Sequence, residues 1–339
     1  MSDPVPLRHV PRPPGLHRLA GGGWVADDGT PVSSRADLAR LSALRIPPAW
    51  THVWSSPDAE APLQATGIDA RGRTQYRYSA EAVARAAADK FAHLGDFARA
   101  LPRVRAQADA DLRTRAPRVG VLTATAVRLL ERGLFRVGND RYARDNHTFG
   151  LTTLTRAHVA VAGADVAFDF VGKEHIRHRI TVTDPVVARV LRRRLGEPGA
   201  PEDPLFVAAD PPHVHRVDSA TVNAYLHAHA GVGATAKAFR TWGATIVAMA
   251  LAAGADLPAL AGRRIRPDLR PIHGAAFLLG DTPAVARASY VHPRALAVAD
   301  GSDVRVAVAT AVERAGSDDV RRILHDDGLH AAAVAVLYP

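Results

Sequence analysis

The chain of 339 residues contains no cysteine, which excludes disulfides, thiolate nucleophiles and cysteine-held zinc. It also lacks any apolar run approaching the roughly 18 to 20 residues a membrane-spanning helix needs. The opening MSDPVPLRHVPRPPG has no apolar core of the kind a secretion signal carries. A soluble cytoplasmic protein is therefore expected. The carboxylates and histidines form no metal-ligating spacing and there is no phosphate-cradling glycine loop, so neither a metal nor a nucleotide cofactor is expected. Lysine is nearly missing too: of 43 basic residues, only Lys90, Lys173 and Lys237 are lysines. A codon bias toward arginine accounts for most of that scarcity. A lysine that persists under such bias marks a position arginine does not fill, because lysine can release a proton and arginine cannot. Lys173 and Lys237 are candidates on this ground.

What the chain does have is positive charge: a net +9 and a pI of about 10.5, with 47% apolar residues to supply globular cores. That balance favours a polyanionic partner. The first 35 or so residues are rich in Pro, Gly and Arg and read as an irregular basic arm with a short strand near GGGWVADDG. Strands are expected over 51–54, 63–66 and 74–78, with Asp69 to Gly72 as a turn. At Ser79, a plausible N-cap, apolar spacing becomes helical. Helices are expected over 120–132, 185–195, 219–229, 237–251 and 282–289. One segment, ADVAFDFVGKEHIRHRITV, alternates instead and predicts a β-hairpin with Lys173 near its tip. The fold class is α+β: a small β-rich domain over residues 1–82, then a larger, mainly helical domain over 83–339 that bears the hairpin.

Transfer of a phosphodiester without a metal needs arginine forks around the charged oxygens, an in-line nucleophile and an acid for the leaving oxygen. Arginine, lysine and tyrosine supply these. RVGNDRYARDNHTFGLTTL, FDFVGKEHIRHRITV, KAFRTWGA and LGDTPAVARASYVHP resemble, in order and spacing, segments of type IB DNA topoisomerases of the bacterial and poxvirus kind. QATGIDARGRTQYRY resembles that family's DNA-clamping domain. The resemblance runs from about Ile46 to Pro293 and implies the catalytic fold shared with tyrosine recombinases. It implies Tyr290 as the nucleophile that forms a 3′-phosphotyrosyl link, and Arg136 and Arg240 as holders of the scissile phosphate. Lys173 matches the acid that protonates the leaving 5′-oxygen, and Lys237 a lysine that assists near the same phosphate. Gln75, Tyr76 and Tyr78 would contact DNA, with Tyr76 and Tyr78 on one strand face. The family expectation is a monomer that clamps double-stranded DNA, associates with the nucleoid, and relaxes supercoils without ATP or metal.

One position departs. The family has His or Asn nine residues before its tyrosine, and this chain has Asp281 in LGDT. Ionised Asp accepts hydrogen bonds and cannot donate one to a phosphate oxygen. At about 4 Å and an effective dielectric near 20, the repulsion is of order 4 kcal/mol. There are three ways out: a protonated Asp281 that donates, an Asp281 turned aside onto an arginine, or another donor, with His273 and His292 nearest in sequence. Asp281 also reads as the N-cap of a helix starting at Thr282. The lysine turn departs as well, with GKEH in place of a GKSG-like sequence. Two other readings stand beside relaxation. One is a DNA-binding clamp that has lost catalysis through Asp281. The other is a tyrosine recombinase, which carries His-x-x-Arg where this chain has Lys237 and Arg240 and lacks the QYRY domain.

Overall fold

The computed structural model describes residues 14–113, 118–210, 213–231, 233–298 and 302–339; the first 13 residues of the expected arm lie outside these. The chain forms two compact units, one ending at Lys90 and the other beginning at Phe91. The division falls inside a helix, further along than residue 82.

The N-terminal unit contains β1 (Leu16–Arg18), β2 (Trp24–Ala26), α1 (Arg35–Ala43), β3 (Thr51–Ser55), β4 (Leu63–Ile68) and β5 (Thr74–Tyr78). They build one antiparallel sheet in the order β2-β1-β3-β4-β5. The short strand expected near GGGWVADDG is β2, and Leu16–Arg18, read as irregular arm, is a second strand of the sheet. Gly22 at φ 94° reverses the chain, with Leu19 N–H bonded to Gly23 O at 2.8 Å. Strands of three residues are too short to show alternation. The Asp69 turn closes as expected, with Gly72 N–H donating to Asp69 O at 2.9 Å. Trp50, Val53, Trp54, Leu63 and Ala65 are buried in this unit.

The second unit opens inside α2 (Ala80–Arg113), whose first turn is capped by Ser79 Oγ accepting from Ala82 N–H at 3.1 Å. There follow α3 (Arg118–Gly133), α4 (Asp140–Asn146), β6 (Val159–Ala162), β7 (Asp165–Val171), β8 (Arg177–Thr183), α5 (Pro185–Gly196), β9 (Val207–Asp210) and β10 (His213–Arg216). The remainder is helical: α6 (Ser219–Ala230), α7 (Ala236–Ala252), α8 (Arg270–Leu279), α9 (Pro283–Ser289), α10 (Ala295–Val298), α11 (Ser302–Ala315), α12 (Val320–Ile323) and α13 (Asp327–Leu337). The expected helices correspond to α3, α5, α6, α7 and α9. The chain is α+β as anticipated, with α7 at the centre of the second unit. From Phe239 to Ala250 every residue of α7 is buried, as an all-round apolar helix requires.

The hairpin forms where alternation placed it. β7 and β8 pair from Asp165 opposite Thr183 to Val171 opposite Arg177, and Val166, Phe168 and Phe170 face the core. Its tip runs from Lys173 to Ile176, closed by Ile176 N–H to Lys173 O at 3.4 Å and by Gly172 N–H to Ile176 O at 2.8 Å. Glu174 and His175 both take left-handed backbone, at φ 61° and 56°. A tight hairpin favours such residues because their twist matches the strands. Without glycine each costs about 1 to 2 kcal/mol, and packing of the two strands holds the turn against that strain.

Beside α7, His330 is buried, with Nδ1 accepting from Trp242 Nε1 at 3.0 Å and Nε2 donating to Leu324 O at 2.7 Å. Burial first, then the nearby Arg105 charge, pull its pKa from 6.5 down to about 4. In the unfolded chain this imidazole gains a proton near pH 6.5, whereas in the folded chain it resists until about pH 4. Stability is therefore lost as pH falls through that window, by about 3 kcal/mol in all. Denaturant titrations at pH 7, 5.5 and 4.5 should show this decline in the parent and a shallower one, by about one proton, in His330→Gln; equal slopes would contradict it.

Candidate active site

Three segments distant in sequence converge on one carboxylate. Asp281 Oδ1 accepts from Arg136 Nη2 at 2.8 Å, and Asp281 Oδ2 accepts from Arg240 Nη2 at 2.8 Å. The three side chains retain 22%, 13% and 5% exposure for Arg136, Asp281 and Arg240, so the cluster is largely dry on the protein side.

Each member is held by local structure. Arg136 follows α3 on a segment that runs beside residues 150–152: Arg136 O accepts from Leu151 N–H at 2.8 Å and Val137 O from Thr152 N–H at 2.7 Å. The approach is so close that a Cβ on Gly150 would stand 2.6 Å from Gly138. Arg240 rises from the buried face of α7 and donates to Leu134 O and to Leu279 O as well as to Asp281. Those two carbonyls end the segments that carry Arg136 and Asp281, so one guanidinium ties all three together. Burial, and then the charge of Arg136, lower the Arg240 pKa, with Asp281 opposing; the group stays charged because an arginine begins so high.

Asp281 sits just past α8 in a C-terminal capping turn. Gly280 is left-handed at φ 62°, Gly280 N–H donates to Phe277 O and Asp281 N–H donates to Ala276 O. The N-cap of α9 is Thr282, whose hydroxyl accepts from Val285 N–H at 3.3 Å. The expectation of Asp281 as the cap is corrected accordingly. Its side chain turns back to the arginines, where two cations outweigh one amide donor.

Tyr290 is the residue that ends α9, half-buried, with Arg240 Cζ lying 5.1 Å from its ring centre. Thr245 of α7 fixes the backbone there: its hydroxyl donates to Tyr290 O at 3.3 Å and accepts from His292 N–H at 3.1 Å. Arg136, Asp281, Arg240 and Tyr290 are thus in direct contact. Lys173 is exposed at the hairpin tip and joins Arg136 and Arg240 in lining a cavity of about 10 Å³. Lys237 is exposed one turn before Arg240 on α7. Gln75, Tyr76 and Tyr78 belong to the N-terminal unit. There Tyr76 and Tyr78 stack at 6.1 Å and 7° on one face of β5, and Gln75 donates to Asp69 Oδ2 at 2.9 Å. Of the two histidines nearest Asp281 in sequence, His292 is buried with its ring against Phe91 and Tyr338. The histidine that the structure brings to the cluster is His178 of β8, which lines the same cavity as Lys173. Its place in the period-two run with Ile180 and Val182 was the available signal.

Chemically, two guanidinium groups that each give one N–H to a single anion, with a phenol beside one of them, are a set that can hold a tetrahedral oxyanion next to a hydroxyl. In this structure the carboxylate of Asp281 takes that anion's part.

Residues 79–257 match the family model described as the catalytic core of eukaryotic DNA topoisomerase I, and residues 23–69 match that of the N-terminal domain of bacterial DNA topoisomerase IB. The chain is also 30% identical over 241 residues to the DNA topoisomerase 1B of Acanthamoeba polyphaga mimivirus, covering 68% of this chain and 70% of that protein. The catalytic-core match includes Arg136, Lys173 and Arg240 and ends before Asp281 and Tyr290.

The unequal burial of the two arginines has a measurable outcome. Arg240→Ala strips two buried carbonyls and a buried carboxylate of a donor and should cost about 3 kcal/mol or more. Arg136→Ala, nearer to solvent, should cost about 1 kcal/mol. Urea denaturation of both variants tests the order, and equal losses would contradict the keystone role of Arg240.

Proposed function

Since the chain belongs to the type IB DNA topoisomerase family, and so is an isomerase that acts on DNA, we propose that it relaxes supercoiled duplex by cutting and resealing one strand through Tyr290. The observation that carries this reading is the convergence of Arg136 and Arg240 on a single anion position with the Tyr290 ring over Arg240.

In the proposed reaction a backbone phosphate enters the seat between the two guanidinium groups. The Tyr290 hydroxyl, giving its proton to solvent, attacks phosphorus and forms the 3′-phosphotyrosyl bond. The bond from phosphorus to the 5′-oxygen breaks, and Lys173 supplies the proton that makes this oxygen a neutral hydroxyl. Lys237 adds positive charge near the same phosphate. The cut strand swivels about the intact one, and the 5′-hydroxyl then attacks the phosphotyrosine and restores the original bond. One ester is exchanged for another at each step, so no ATP is consumed and none of these roles needs a metal. The N-terminal unit, through Gln75, Tyr76 and Tyr78, holds the duplex, and one copy acts as a clamp on the DNA of the cytoplasm.

Asp281 sets the rate. A phosphate entering the seat meets a carboxylate already there, and the carboxylate either swings away or stays and repels it. Repulsion of order 4 kcal/mol at contact corresponds to as much as about 10³ in rate. The same observation favours a second reading: if the carboxylate is not displaced, the protein is a DNA-binding clamp that does not cleave.

Relaxation assays in EDTA without ATP distinguish the two, with covalent capture of DNA as a second readout. The parent should relax plasmid slowly. Asp281→Asn, which removes the charge and adds a donor, should cleave at least tenfold faster; an unchanged or slower rate would sink the account of Asp281. Tyr290→Phe should lose all covalent capture and keep salt-sensitive binding; capture retained by that variant would overturn the nucleophile. Absence of relaxation and capture in both parent and Asp281→Asn would leave the clamp.

A further inference from the structure

His178 lies on β8 directly opposite Phe170 of β7, and the two rings stack at 5.3 Å and 20°. Two glycines also stand against the ring. A Cβ on Gly172 would stand 2.6 Å from His178 Cδ2, and a Cβ on Gly280 would stand 2.3 Å from His178 Cε1. Neither contact is tolerable, so the imidazole fits only because both positions lack a side chain. Gly172 immediately precedes Lys173, and Gly280 immediately precedes Asp281. One ring therefore separates the turn that presents the lysine from the turn that presents the carboxylate. His178 also lines the small cavity shared by Arg136, Lys173 and Arg240. Burial, then the charges of Arg136 and Arg240, lower its pKa, against the opposing effect of Asp281. It is thus neutral at pH 7 and adds no repulsion to the arginines.

We propose that His178 is a positioning residue, a planar wedge that spaces the Lys173 turn from the Arg136–Asp281–Arg240 cluster and so sets where Lys173 meets the leaving 5′-oxygen. The proposal rests on the reading of Lys173 as the acid. The ring acts by shape: it has no hydrogen-bond partner among the described residues. Without it the hairpin tip, already strained at Glu174 and His175, has no fixed distance to the phosphate seat.

The test uses single-turnover cleavage of two duplexes that differ only at the scissile bond, at a site mapped beforehand by covalent capture. One carries the ordinary 5′-oxygen, the other a 5′-sulfur, whose thiolate leaves without needing a proton. His178→Ala should cut the oxygen duplex at least tenfold more slowly than the parent and the sulfur duplex within about threefold of it, a fraction of what a general acid supplies. His178→Phe, which keeps the wedge and loses the nitrogens, should stay within about threefold of the parent on both. The proposal is overturned if His178→Ala is slowed equally on the two duplexes, if it is not slowed at all, or if His178→Phe is as slow as His178→Ala. Should His178→Ala not fold, His178→Leu takes its place with the same expectations. Lys173→Ala is run alongside. A Lys173→Ala defect that the sulfur duplex does not relieve withdraws the acid assignment itself. Relief of Lys173→Ala without relief of His178→Ala overturns the wedge alone.

Discussion

One carboxylate shared by two guanidinium groups organises the second unit of this protein. Arg136 enters from the loop after α3, Arg240 from the buried face of α7 and Asp281 from the end of α8, and their meeting ties those three segments together. The bonds from Arg240 to Leu134 O and Leu279 O make the tie rigid as well as charged. The arginine pair has a structural duty in the absence of any ligand, because like charges placed so close in a low-dielectric site would push apart without a counter-ion.

The surrounding architecture serves that meeting. α7 supplies a core buried from Phe239 to Ala250, so the Arg240 side chain leaves a helix that has no freedom to shift. α8 ends in a left-handed glycine, which turns the chain sharply enough to point Asp281 back rather than onward into α9. The hairpin is anchored by Val166, Phe168 and Phe170 under the sheet, and Phe135, next to Arg136, packs edge-on to Phe168 at 5.0 Å. Hairpin and arginine loop therefore share one packed core, while the alternate face of both strands and the tip are open to solvent.

Much of this was legible in the sequence, for identifiable reasons. The hairpin showed itself through strict alternation, α7 through its continuous apolar surface, and Arg136, Lys173, Arg240 and Tyr290 through the order of motifs. The fate of Asp281 was left open among three ways out, of which turning aside onto an arginine is the one found. Asp and Thr are both good N-caps, and the choice between Asp281 and Thr282 was decided by arginines 145 and 41 residues away, which no local pattern reports. His178 was hidden for a similar reason: its neighbours Gly172 and Gly280 are ordinary turn glycines until the fold brings them against one ring. The strand near Leu16 escaped because three residues are too few for a period, whereas the one near Trp24 was flagged by its flanking glycines. The helices after Arg294 bear no motif, and their packing against α7 is a property of the finished core.

The shared carboxylate also fixes a sum of charges. Two guanidinium groups and one carboxylate leave a net charge of +1 at the seat, which a resting phosphodiester, with its single negative charge, brings to zero. The pentacoordinate species on the reaction path in the proposed mechanism carries a second negative charge, and the balanced seat has nothing left to offer it. With Asp281 in place, these three residues are matched to the substrate at rest rather than to its transition state, and binding energy spent on the former does not lower the barrier.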